Sequence, residues 1–340
     1  MSKYFPVQKT ILSCEAIKER IFSQYNIEKA HTCRFFNHGL NDTYKIENDQ
    51  KTYYLRVYRK NWRSKDDVIS EIKLLNHLSK NKKISVAVPI KNIDGEYMME
   101  INAMEGTRYA VLFESAVGKS KPLDNKRSYK YGRTAARIHA QADKLEALNR
   151  FHIDLEHLLV EPLKYIKPFL SKRTEDYKYL ENTAKKLKKE IIKLLSKDKS
   201  AYGICHGDFH GGNIHFDKND NLSVFDFDCF GYGWRAYDIS VFLWSCASFR
   251  DWGKKNKSKR TRLWNLFLKG YTEERKLTPN ELKAAYVFVP IRHIWLLGLH
   301  TQGCNDWGGV WITDEYFDQE IGFIKKWIEN YKVLPVRDRL

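Results

Sequence analysis

Residues 206–228 constrain this chain more than any other segment. They begin with His-Gly-Asp-Phe-His-Gly-Gly-Asn and end with Asp-Phe-Asp, and two short β-prone runs between these motifs flank the polar turn 217–221. This pattern predicts an antiparallel hairpin, which brings Asn213 at the start of one strand close to Asp226 after the other. Amide and carboxylate oxygens are ligands that a hard divalent cation prefers. Since Asp208 on the preceding loop is placed to face an attacking hydroxyl, the segment predicts a phosphoryl-transfer site.

The same residues resemble the catalytic loop and metal motif of the aminoglycoside phosphotransferase and choline kinase superfamily. That group includes type II homoserine kinases, methylthioribose kinase and a bacterial stress-response Ser/Thr kinase. The resemblance implies a two-lobed protein-kinase-like fold, with a small antiparallel-sheet N-lobe that carries a helix and a larger, mainly helical C-lobe. It also implies that Asp208 is the catalytic base or orienting residue and that Asn213 and Asp226 bind Mg²⁺. It covers most of the chain but is strong only in the catalytic segment.

Hydrophobic periodicity predicts an α+β chain that begins with an amphipathic helix over 11–25. Strands are expected over 33–36, 43–46, 52–58 and 109–113, with a helix over 65–78 and two further strands before the last of them. Later helices are expected over 125–142, 156–170, 175–196, 236–249, 259–274, 279–300 and 314–331. We therefore divide the chain into an N-terminal ATP-binding lobe (1–113), a hinge or linker (114–121) and a C-terminal catalytic and substrate-binding lobe (122–340).

The resemblance assigns ATP binding to the N-terminal lobe. Gly39 and Asn41 lie between the first two predicted strands, where the superfamily has its phosphate-covering loop, although an ordinary hairpin turn would look the same. Arg56 occupies the position of the lysine that usually contacts the α- and β-phosphates, and Glu71 matches the acidic partner of that cation. Arginine departs from the commonest pattern, but it offers a permanent charge and a fork of donors. The alternative is an exposed strand arginine and a surface glutamate.

Several other positions have weaker assignments. Glu114 and Ala116 follow an apolar strand and match the hinge whose backbone groups pair with adenine. Asp228 either adds a contact to the metal site or caps the loop that follows it. Asp238 matches an aspartate that braces the catalytic loop, and His206 is best interpreted as a structural residue that makes hydrogen bonds.

The acceptor-binding residues are the least well defined part of the site. Residues 305–320 contain five carboxylates and no lysine or arginine, which reverses the local charge in a basic chain. Relatives in the superfamily often build their acceptor pocket from C-terminal helices. We therefore hypothesise that Asp306, Trp307 and Trp311 help to bind a cationic or amino-bearing substrate, by charge and by aromatic contact.

A structural explanation competes for the same region. Thr313 is expected to cap a helix whose positive N-terminus favours Asp314 and Glu315, with the tryptophans in the core. We favour this explanation for the two acidic residues and leave the earlier part of the segment open. Arg292 and His293, on another predicted helix, are further pocket candidates that could equally serve helix packing.

Composition argues against several other classes of protein. The net charge is +17, but the lysines are spread over helical surfaces, and the absence of a nucleic-acid-binding motif argues against such a partner. The six cysteines form no Cys-x-x-Cys pair, which argues against a zinc site or a disulfide scaffold and suits a reducing cytoplasm. No apolar run approaches the roughly 20 residues of a membrane-spanning helix, and the N-terminus lacks the apolar segment of a signal peptide. We expect a cytoplasmic protein with no membrane partner.

Together these features predict an ATP- and Mg²⁺-dependent O-phosphotransferase that acts on the hydroxyl group of a small molecule. An aminoglycoside-like antibiotic, an amino alcohol, a homoserine-like amino acid and a sugar all stay open as acceptors. The alternative is a Ser/Thr protein kinase, which is disfavoured because only about ten residues separate Asp226 from the next predicted helix. That length leaves little room for a peptide-docking segment. A nucleotide-binding pseudokinase is a third hypothesis, against which the intact Asp208, Asn213 and Asp226 argue.

Overall fold

The computed structural model describes residues 5–28, 30–247 and 252–334 of the chain. The chain forms two compact units, and each of them takes segments from separate parts of the sequence. The first unit comprises Met1–Val117, Glu146–Arg150 and Ser223–Phe225. The second unit comprises Gly118–Leu145, Phe151–Leu222 and Asp226–Leu340.

The first unit contains a five-stranded antiparallel sheet. Strands β1 (Thr32–His38), β2 (Asn41–Glu47) and β3 (Thr52–Tyr58) are followed by the short β4 (Ser85–Val86) outside this sheet, and then by β5 (Met98–Ala103) and β6 (Gly106–Glu114). The order in the sheet is β1-β2-β3-β6-β5. Alternate side chains of β2 and β3 are buried, because successive residues of a strand point to opposite faces.

The buried face of this sheet forms one apolar core with the N-terminal helix. Tyr44, Ile46 and Leu55 from the strands pack in the same cluster as Ile17 of α1 (Cys14–Arg20). The helix is shorter than the predicted 11–25. It starts later because the Ser13 side chain caps its first turn by accepting a hydrogen bond from a backbone N–H, and a separate 3₁₀ turn, Phe22–Gln24, follows its end.

Two contacts tie the later segments to the first unit. The Ser70 hydroxyl of helix α2 (Lys65–Ser79) donates to the Asn149 carbonyl at 2.9 Å. Ser223 pairs in parallel with Ser85 of β4, and their hydroxyl oxygens are 2.8 Å apart. Both contacts join residues far apart in the sequence, so no local pattern predicts them.

The second unit is mainly helical. Its α-helices are α3 (Asn125–Ala142), α4 (Glu161–Ile166), α5 (Thr174–Leu194), α6 (Arg235–Ala247), α7 (Lys254–Glu274), α8 (Pro279–Trp307) and α9 (Asp314–Tyr331). Strands β7 (His152–Ile153), β8 (Tyr202–Cys205) and β11 (Gly231–Trp234) form a sheet in the order β7-β11-β8. Strand β9 (Ile214–Phe216) precedes the turn 217–221, and β10 (Leu222–Val224), most of which belongs to the first unit, follows it. The single helix predicted over 156–170 is instead a π-helical turn, α4 and a 3₁₀ turn. The last two residues of the helix predicted over 236–249 lie outside the described residues.

Helices α3 and α7 approach closely because each of them presents a glycine to the other. A Cβ on Gly132 would lie 1.9 Å from a carbonyl oxygen of α7, and one on Gly270 would lie 2.0 Å from a carbonyl oxygen of α3. A larger residue at either position would push the helices apart. This packing fixes Tyr131, whose hydroxyl donates to the Phe209 carbonyl in the predicted catalytic loop at 2.8 Å.

Helix α8 belongs to the core of the second unit. It is long and apolar enough to cross a membrane by length and composition, but 72% of its most apolar window is buried inside the protein. Pro290 has no N–H, so the Tyr286 carbonyl lacks its helical partner and accepts a hydrogen bond from the Trp327 indole at 2.9 Å. The helix extends beyond its predicted end at residue 300, which places Asp306 and Trp307 in its last turn.

Candidate active site

Of the two residues predicted to cover phosphate, Gly39 lies in the turn between β1 and β2, and Asn41 is the first residue of β2. The Gly39 N–H donates to the Asn41 carbonyl at 3.1 Å, and Arg59 donates to the Gly39 carbonyl. A Cβ on Gly39 would have the Asn37 amide as its nearest neighbour at 3.4 Å, so the fold has room for a larger residue. The Asn41 side chain is buried, and its Oδ1 has no hydrogen-bond partner within the described residues. A ligand or water would relieve the cost of that unpaired oxygen.

Arg56 of β3 and Glu71 of α2 form an ion pair in which Arg56 Nη1 and Glu71 Oε1 are 2.7 Å apart. The Tyr58 hydroxyl donates to the other carboxylate oxygen at 2.7 Å. The Arg56 guanidinium also lies 5.1 Å from the centroid of the Phe113 ring. The Glu71 side chain is 2% exposed and that of Arg56 is 12% exposed, so neither is a solvent-exposed surface residue. The carboxylate holds the arginine in place from the interior.

A second ion pair in the first unit was not predicted from the sequence. Asp42 of β2 and Arg108 of β6 are both fully buried, with 2.6 Å between Oδ2 and Nη2. Burial raises the pKa of Asp42, but Arg108, Lys9 and His38 outweigh it and hold that pKa below its usual value. The burial of Asp42 could have been inferred from the sequence. Asp42 lies two residues before Tyr44, so the two side chains of β2 point to the same buried face of the sheet.

The backbone at the predicted hinge is partly engaged within the first unit. The Glu114 N–H donates to the Val88 carbonyl at 2.9 Å, and the Ser115 N–H donates to the Thr52 carbonyl at 3.2 Å. Ala116 is buried. The Glu114 N–H is therefore occupied, and the predicted recognition of adenine by this residue would have to use its carbonyl oxygen.

In the second unit, the loop after β8 brings Asp208 and Asn213 together. The Asn213 side-chain amide donates to the Asp208 carbonyl at 2.9 Å and to its carboxylate Oδ2 at 3.3 Å. His210 Nε2 lies 3.4 Å from the same carboxylate oxygen. The Asp208 N–H donates to Nδ1 of His206 at 3.3 Å. Because its nitrogen is directed at Asp208, the amide of Asn213 has its oxygen turned away from that residue.

Asp238 of α6 fixes the start of the same loop. Its carboxylate accepts hydrogen bonds from the N–H groups of His206 at 2.7 Å and Gly207 at 2.9 Å, and from His139 Nε2 at 2.9 Å. Burial raises the pKa of Asp238, but these partners outweigh it and hold the pKa below its usual value. Gly207 has a φ of +81°, and a Cβ there would lie 2.0 Å from the Cys229 carbonyl oxygen. The loop therefore needs both the aspartate and the glycine.

Arg292 of α8 is the partner of Asp208 that the sequence did not reveal. Its guanidinium forms an ion pair with Asp208 Oδ1 and also donates to the Tyr237 hydroxyl at 3.4 Å. Burial raises the pKa of Asp208, but Arg292, His210 and His206 together hold it well below its usual value. The sequence named Arg292 only as a pocket or packing residue, because its partner is 84 positions away.

The predicted metal ligands Asn213 and Asp226 both lie in the second unit. Asn213 ends the 3₁₀ turn Gly211–Asn213, and Asp226 precedes the turn Phe227–Cys229 with a left-handed backbone, at a φ of 64°. Aspartate tolerates this conformation better than most residues, and strained backbone is frequent at functional sites. Asp228 is buried. An amide oxygen and a carboxylate fit the hard-oxygen preference of Mg²⁺, whose binding here stays a prediction.

Two of the predicted acceptor residues lie around His300. Its ring centroid is 6.3 Å from that of Trp307 and 5.1 Å from that of Trp311, and its Nδ1 is hydrogen-bonded to the Tyr316 hydroxyl at 2.7 Å. Burial lowers the pKa of His300 to about 4, so the ring is neutral at neutral pH. Trp307 is half-buried, whereas Trp311 and Asp306 are exposed. The two tryptophans are therefore not part of the fully buried core.

The capping explanation for the next residues is confirmed. Thr313 precedes α9, and its side chain accepts a hydrogen bond from the Tyr316 N–H at 3.3 Å. Asp314 and Glu315 lie in the first turn, where negative charge is favourable. Arg173 forms an ion pair with Asp314 at 3.4 Å. These carboxylates are accounted for by the helix and by this arginine.

The two units and the loop that carries Asp208 and Asn213 have the organisation of a phosphotransferase with a protein-kinase-like fold. A model of the phosphotransferase enzyme family (APH) matches residues 32–263, which is more than half of the chain. The chain therefore belongs to this family, and it is a kinase with a two-lobed fold. The family, the enzyme class and the fold predicted from the sequence are confirmed.

Similar proteins include kinases of small molecules. The amicoumacin kinase of Bacillus subtilis (strain 168) is 26% identical over 296 residues, which cover 86% of each chain. The structure of the amicoumacin kinase hAmiN, in complex with AMP-PNP and Ca²⁺, has a TM-score of 0.74 at 20% identity, covering 94% of this chain and 93% of its own. A microcompartment-associated aminopropanol kinase has a TM-score of 0.70 at 20% identity, covering 92% and 97%. The structural likeness shows the fold, and the substrates are those of the relatives.

Proposed function

We propose that this kinase transfers the γ-phosphoryl group of ATP to a hydroxyl group of a small, amino-bearing molecule, with Mg²⁺ as the metal. The observation that carries the proposal is the Asp208 carboxylate, which is held by Arg292 on one oxygen and faces Asn213 with the other. Positioning and electrostatics supply most of the catalysis in phosphoryl transfer. A carboxylate held in this way orients a hydroxyl and accepts its proton late in the reaction.

Residues of the first unit are assigned to the nucleotide. Arg56, held by its buried carboxylate partner, contacts the α- and β-phosphates. The turn with Gly39 and Asn41 offers backbone groups and a buried, unpaired amide oxygen to the ligand. The Glu114 carbonyl and the backbone of Ala116 recognise adenine.

Residues of the second unit are assigned to the metal. Asn213 and Asp226 would hold Mg²⁺ through an amide oxygen and a carboxylate. When bound, Mg²⁺ supplies positive charge that neutralises the β- and γ-phosphate oxygens.

An amino-bearing acceptor is favoured by the surface at the end of α8. Trp307 and Trp311 offer aromatic faces, and Asp306, next to Trp307 in the last turn of α8, offers an exposed carboxylate. An amino alcohol, an aminoglycoside-like antibiotic and a homoserine-like amino acid carry both the amino and the hydroxyl group that such a surface requires. The relatives that act on amicoumacin and aminopropanol support this choice over a simple sugar.

A protein acceptor is disfavoured by the segment that follows Asp226. Residues 227–234 form a 3₁₀ turn and then β11, which is paired antiparallel with β8 and parallel with β7. These residues are therefore engaged in the second unit and do not form an extended loop on which a peptide could dock.

A screen of acceptors tests the proposal. ATP consumption is measured with Mg²⁺ across amino alcohols, aminoglycosides, hydroxyl amino acids and sugars, with casein-type proteins alongside. We expect turnover with at least one amino-bearing alcohol and none with protein. Turnover with sugars alone would contradict the amino-bearing class, and phosphorylation of casein would favour the protein-kinase alternative.

We also infer that the protein works in the cytoplasm. All six cysteines are free thiols, and two of them, Cys205 and Cys229, are buried. Unpaired cysteines persist most readily in a reducing compartment. Fractionation of the native host followed by immunoblotting tests this assignment.

A further inference from the structure

Arg292 is held by aromatic residues. Its guanidinium carbon lies 4.3 Å from the centroid of the Trp295 ring and 5.3 Å from that of Trp244. Each tryptophan is itself fixed, because the indole of Trp295 donates to His157 Nε2 and that of Trp244 donates to His293 Nδ1, both at 3.0 Å. A guanidinium next to two such rings loses much of its rotational freedom, and burial strengthens the cation–π attraction.

The Arg292–Asp208 pair is asymmetric. The Arg292 side chain is 3% exposed, whereas that of Asp208 is 20% exposed. Asp208 Oδ1 pairs with Arg292, and Oδ2 faces Asn213 and His210. The arginine is therefore the more buried partner, and the second oxygen lies beside Asn213 and His210 in the more exposed part of the pair.

Stability alone does not explain this ion pair. A buried pair contributes little net stability, because the loss of hydration offsets the attraction between the charges. Arg292 Nε is buried without a hydrogen-bond partner within the described residues, which adds a further cost. A pair that is expensive to bury and open on one side is better explained by a role in the reaction.

We propose that Arg292 is the positioning residue of the transfer step, which pins one oxygen of Asp208 so that the other is presented to the acceptor hydroxyl. The inference rests on the proposed function, because it requires Asp208 to meet that hydroxyl. Arg292 acts through Asp208 and does not touch the substrate. It also compensates the charge of Asp208, so the amino group of the acceptor has to be bound by other residues.

Substitutions of Arg292 test this role through the separation of kcat from KM. Arg292→Gln keeps a hydrogen-bond donor but removes the charge and the rigid fork. We expect kcat to fall about 10²-fold, the effect of a small misplacement of a catalytic group, while KM for ATP stays unchanged. Arg292→Lys keeps the charge without the fork, so it should recover part of the lost kcat. An unchanged kcat in Arg292→Gln, or a loss confined to KM for ATP, would overturn the proposal.

A double-substitution cycle separates positioning from direct participation. If Arg292 acts only through Asp208, Arg292→Gln should cause little further loss of kcat in an Asp208→Asn protein. A second loss as large as that in the unaltered background would show that Arg292 acts on its own, and the proposal would be wrong.

Arg235 provides the matched control. It is a buried arginine of the same unit, and it forms an ion pair with Asp143. Arg235→Gln and Arg292→Gln should both lower the melting temperature, but Arg235→Gln should leave kcat unchanged. If kcat falls as much in Arg235→Gln as in Arg292→Gln, the Arg292 effect is explained by a general loss of packing. That result would overturn the proposal.

The remaining outcomes are also decisive. If Arg292→Gln does not fold, Arg292→Lys is assayed in its place, and an unaltered kcat in that folded protein overturns the role of Arg292. Absence of acceptor turnover by the unaltered enzyme overturns the proposed function. A normal kcat of the Arg292 variants, in an enzyme that does phosphorylate its acceptor, overturns only the positioning role.

Discussion

Each unit carries an arginine–carboxylate ion pair at its candidate site, and the two pairs differ in which member is more buried. In the first unit the carboxylate is the more buried partner, with Glu71 2% and Arg56 12% exposed. In the second unit the guanidinium is the more buried partner, with Arg292 3% and Asp208 20% exposed. The more exposed member is the one to which we assign a ligand in each case, phosphate for Arg56 and the acceptor hydroxyl for Asp208. In both proposed roles, the more buried charge positions its partner, and the more exposed charge contacts the ligand.

The buried member of each pair has a further support that suits its chemistry. The Glu71 carboxylate is an acceptor, and the Tyr58 hydroxyl donates to its second oxygen at 2.7 Å. The Arg292 guanidinium is a planar cation, and the Trp295 ring lies 4.3 Å away. Buried charge is tolerated only when such partners satisfy it.

The largest effect is expected where the acting carboxylate is changed. Asp208→Asn keeps the size of the side chain but removes the charge that orients the hydroxyl and accepts its proton. We expect kcat to fall about 10³-fold, while the Kd for Mg·ATP, measured by titration calorimetry, stays unchanged. Asp143→Asn, which breaks an ion pair elsewhere in the second unit, should retain kcat. Retained turnover in Asp208→Asn would show that Asp208, the more exposed member of the second pair, does not act in the transfer step.

A smaller effect is expected at the proposed metal ligand. Asp226→Asn keeps a residue that accepts the left-handed backbone but removes the negative charge, so we expect the Mg²⁺ concentration for half-maximal activity to rise about 10- to 100-fold. Asp220→Asn is the matched control, because Asp220 also has a left-handed backbone (φ 59°) and pairs with Lys121 and Lys126 away from the metal residues. Unchanged Mg²⁺ dependence in Asp226→Asn would contradict the ligand assignment.

Local elements of this fold could be predicted from the sequence because their signals are local. The bounds of β3, α3 and α9 agree with the predicted 52–58, 125–142 and 314–331. In α9 the start is set by the Thr313 cap, and in β3 burial alternates from Thr52 to Val57. The helix predicted over 156–170 was wrong in detail, because periodicity does not distinguish α-helix from the π- and 3₁₀-helical turns that flank α4.

The pairs at the candidate site were predictable to different degrees. Arg56 and Glu71 are 15 positions apart on adjacent elements, and the family resemblance linked them. Asp208 and Arg292 are 84 positions apart, and no local sequence pattern predicts which buried arginine pairs with which carboxylate. Asp42 lies two residues before Tyr44 and therefore points to the same buried face of β2, which is a local signal of its burial. Long-range charge pairing is set by packing, and a single sequence does not encode it locally.

The Arg56–Glu71 pair is tested by substituting first Arg56, which is assigned to phosphate, and then Glu71, which positions it. Arg56→Met removes a charge-assisted contact of roughly 1.5–3 kcal/mol, so we expect KM for ATP to rise roughly 10- to 100-fold. Glu71→Gln leaves the arginine charged but loosens it, so its effect on KM for ATP should be smaller. Arg34→Met, which removes an exposed arginine paired with Glu47 on the same sheet, should leave KM unchanged. A larger effect in Glu71→Gln than in Arg56→Met would reverse the order that burial implies.

The smallest effect is expected at the acceptor surface formed by Asp306, Trp307 and Trp311. Asp306 and Trp311 are exposed, so their contacts with an amino group are weakened by solvent. A cation–π contact or an ion pair at such a site is worth roughly 0.5–1 kcal/mol. Asp306→Asn and Trp311→Ala should therefore each raise acceptor KM only about two- to fivefold, with kcat and KM for ATP unchanged. Asp314→Asn is the control, because that carboxylate is paired with Arg173 at the start of α9.

The outcome at this surface bears directly on the role of Arg292. If Arg292 compensates the charge of Asp208, the acceptor amine gains little from Asp208 and depends on weaker, exposed partners. Asp306→Asn should then affect an amino-bearing acceptor and leave its deaminated alcohol analogue unchanged, as measured by the ratio of the two KM values. An equal change for both alcohols would show that Asp306 does not bind the amino group, and the acceptor would have to be recognised through its hydroxyl and its apolar surface alone.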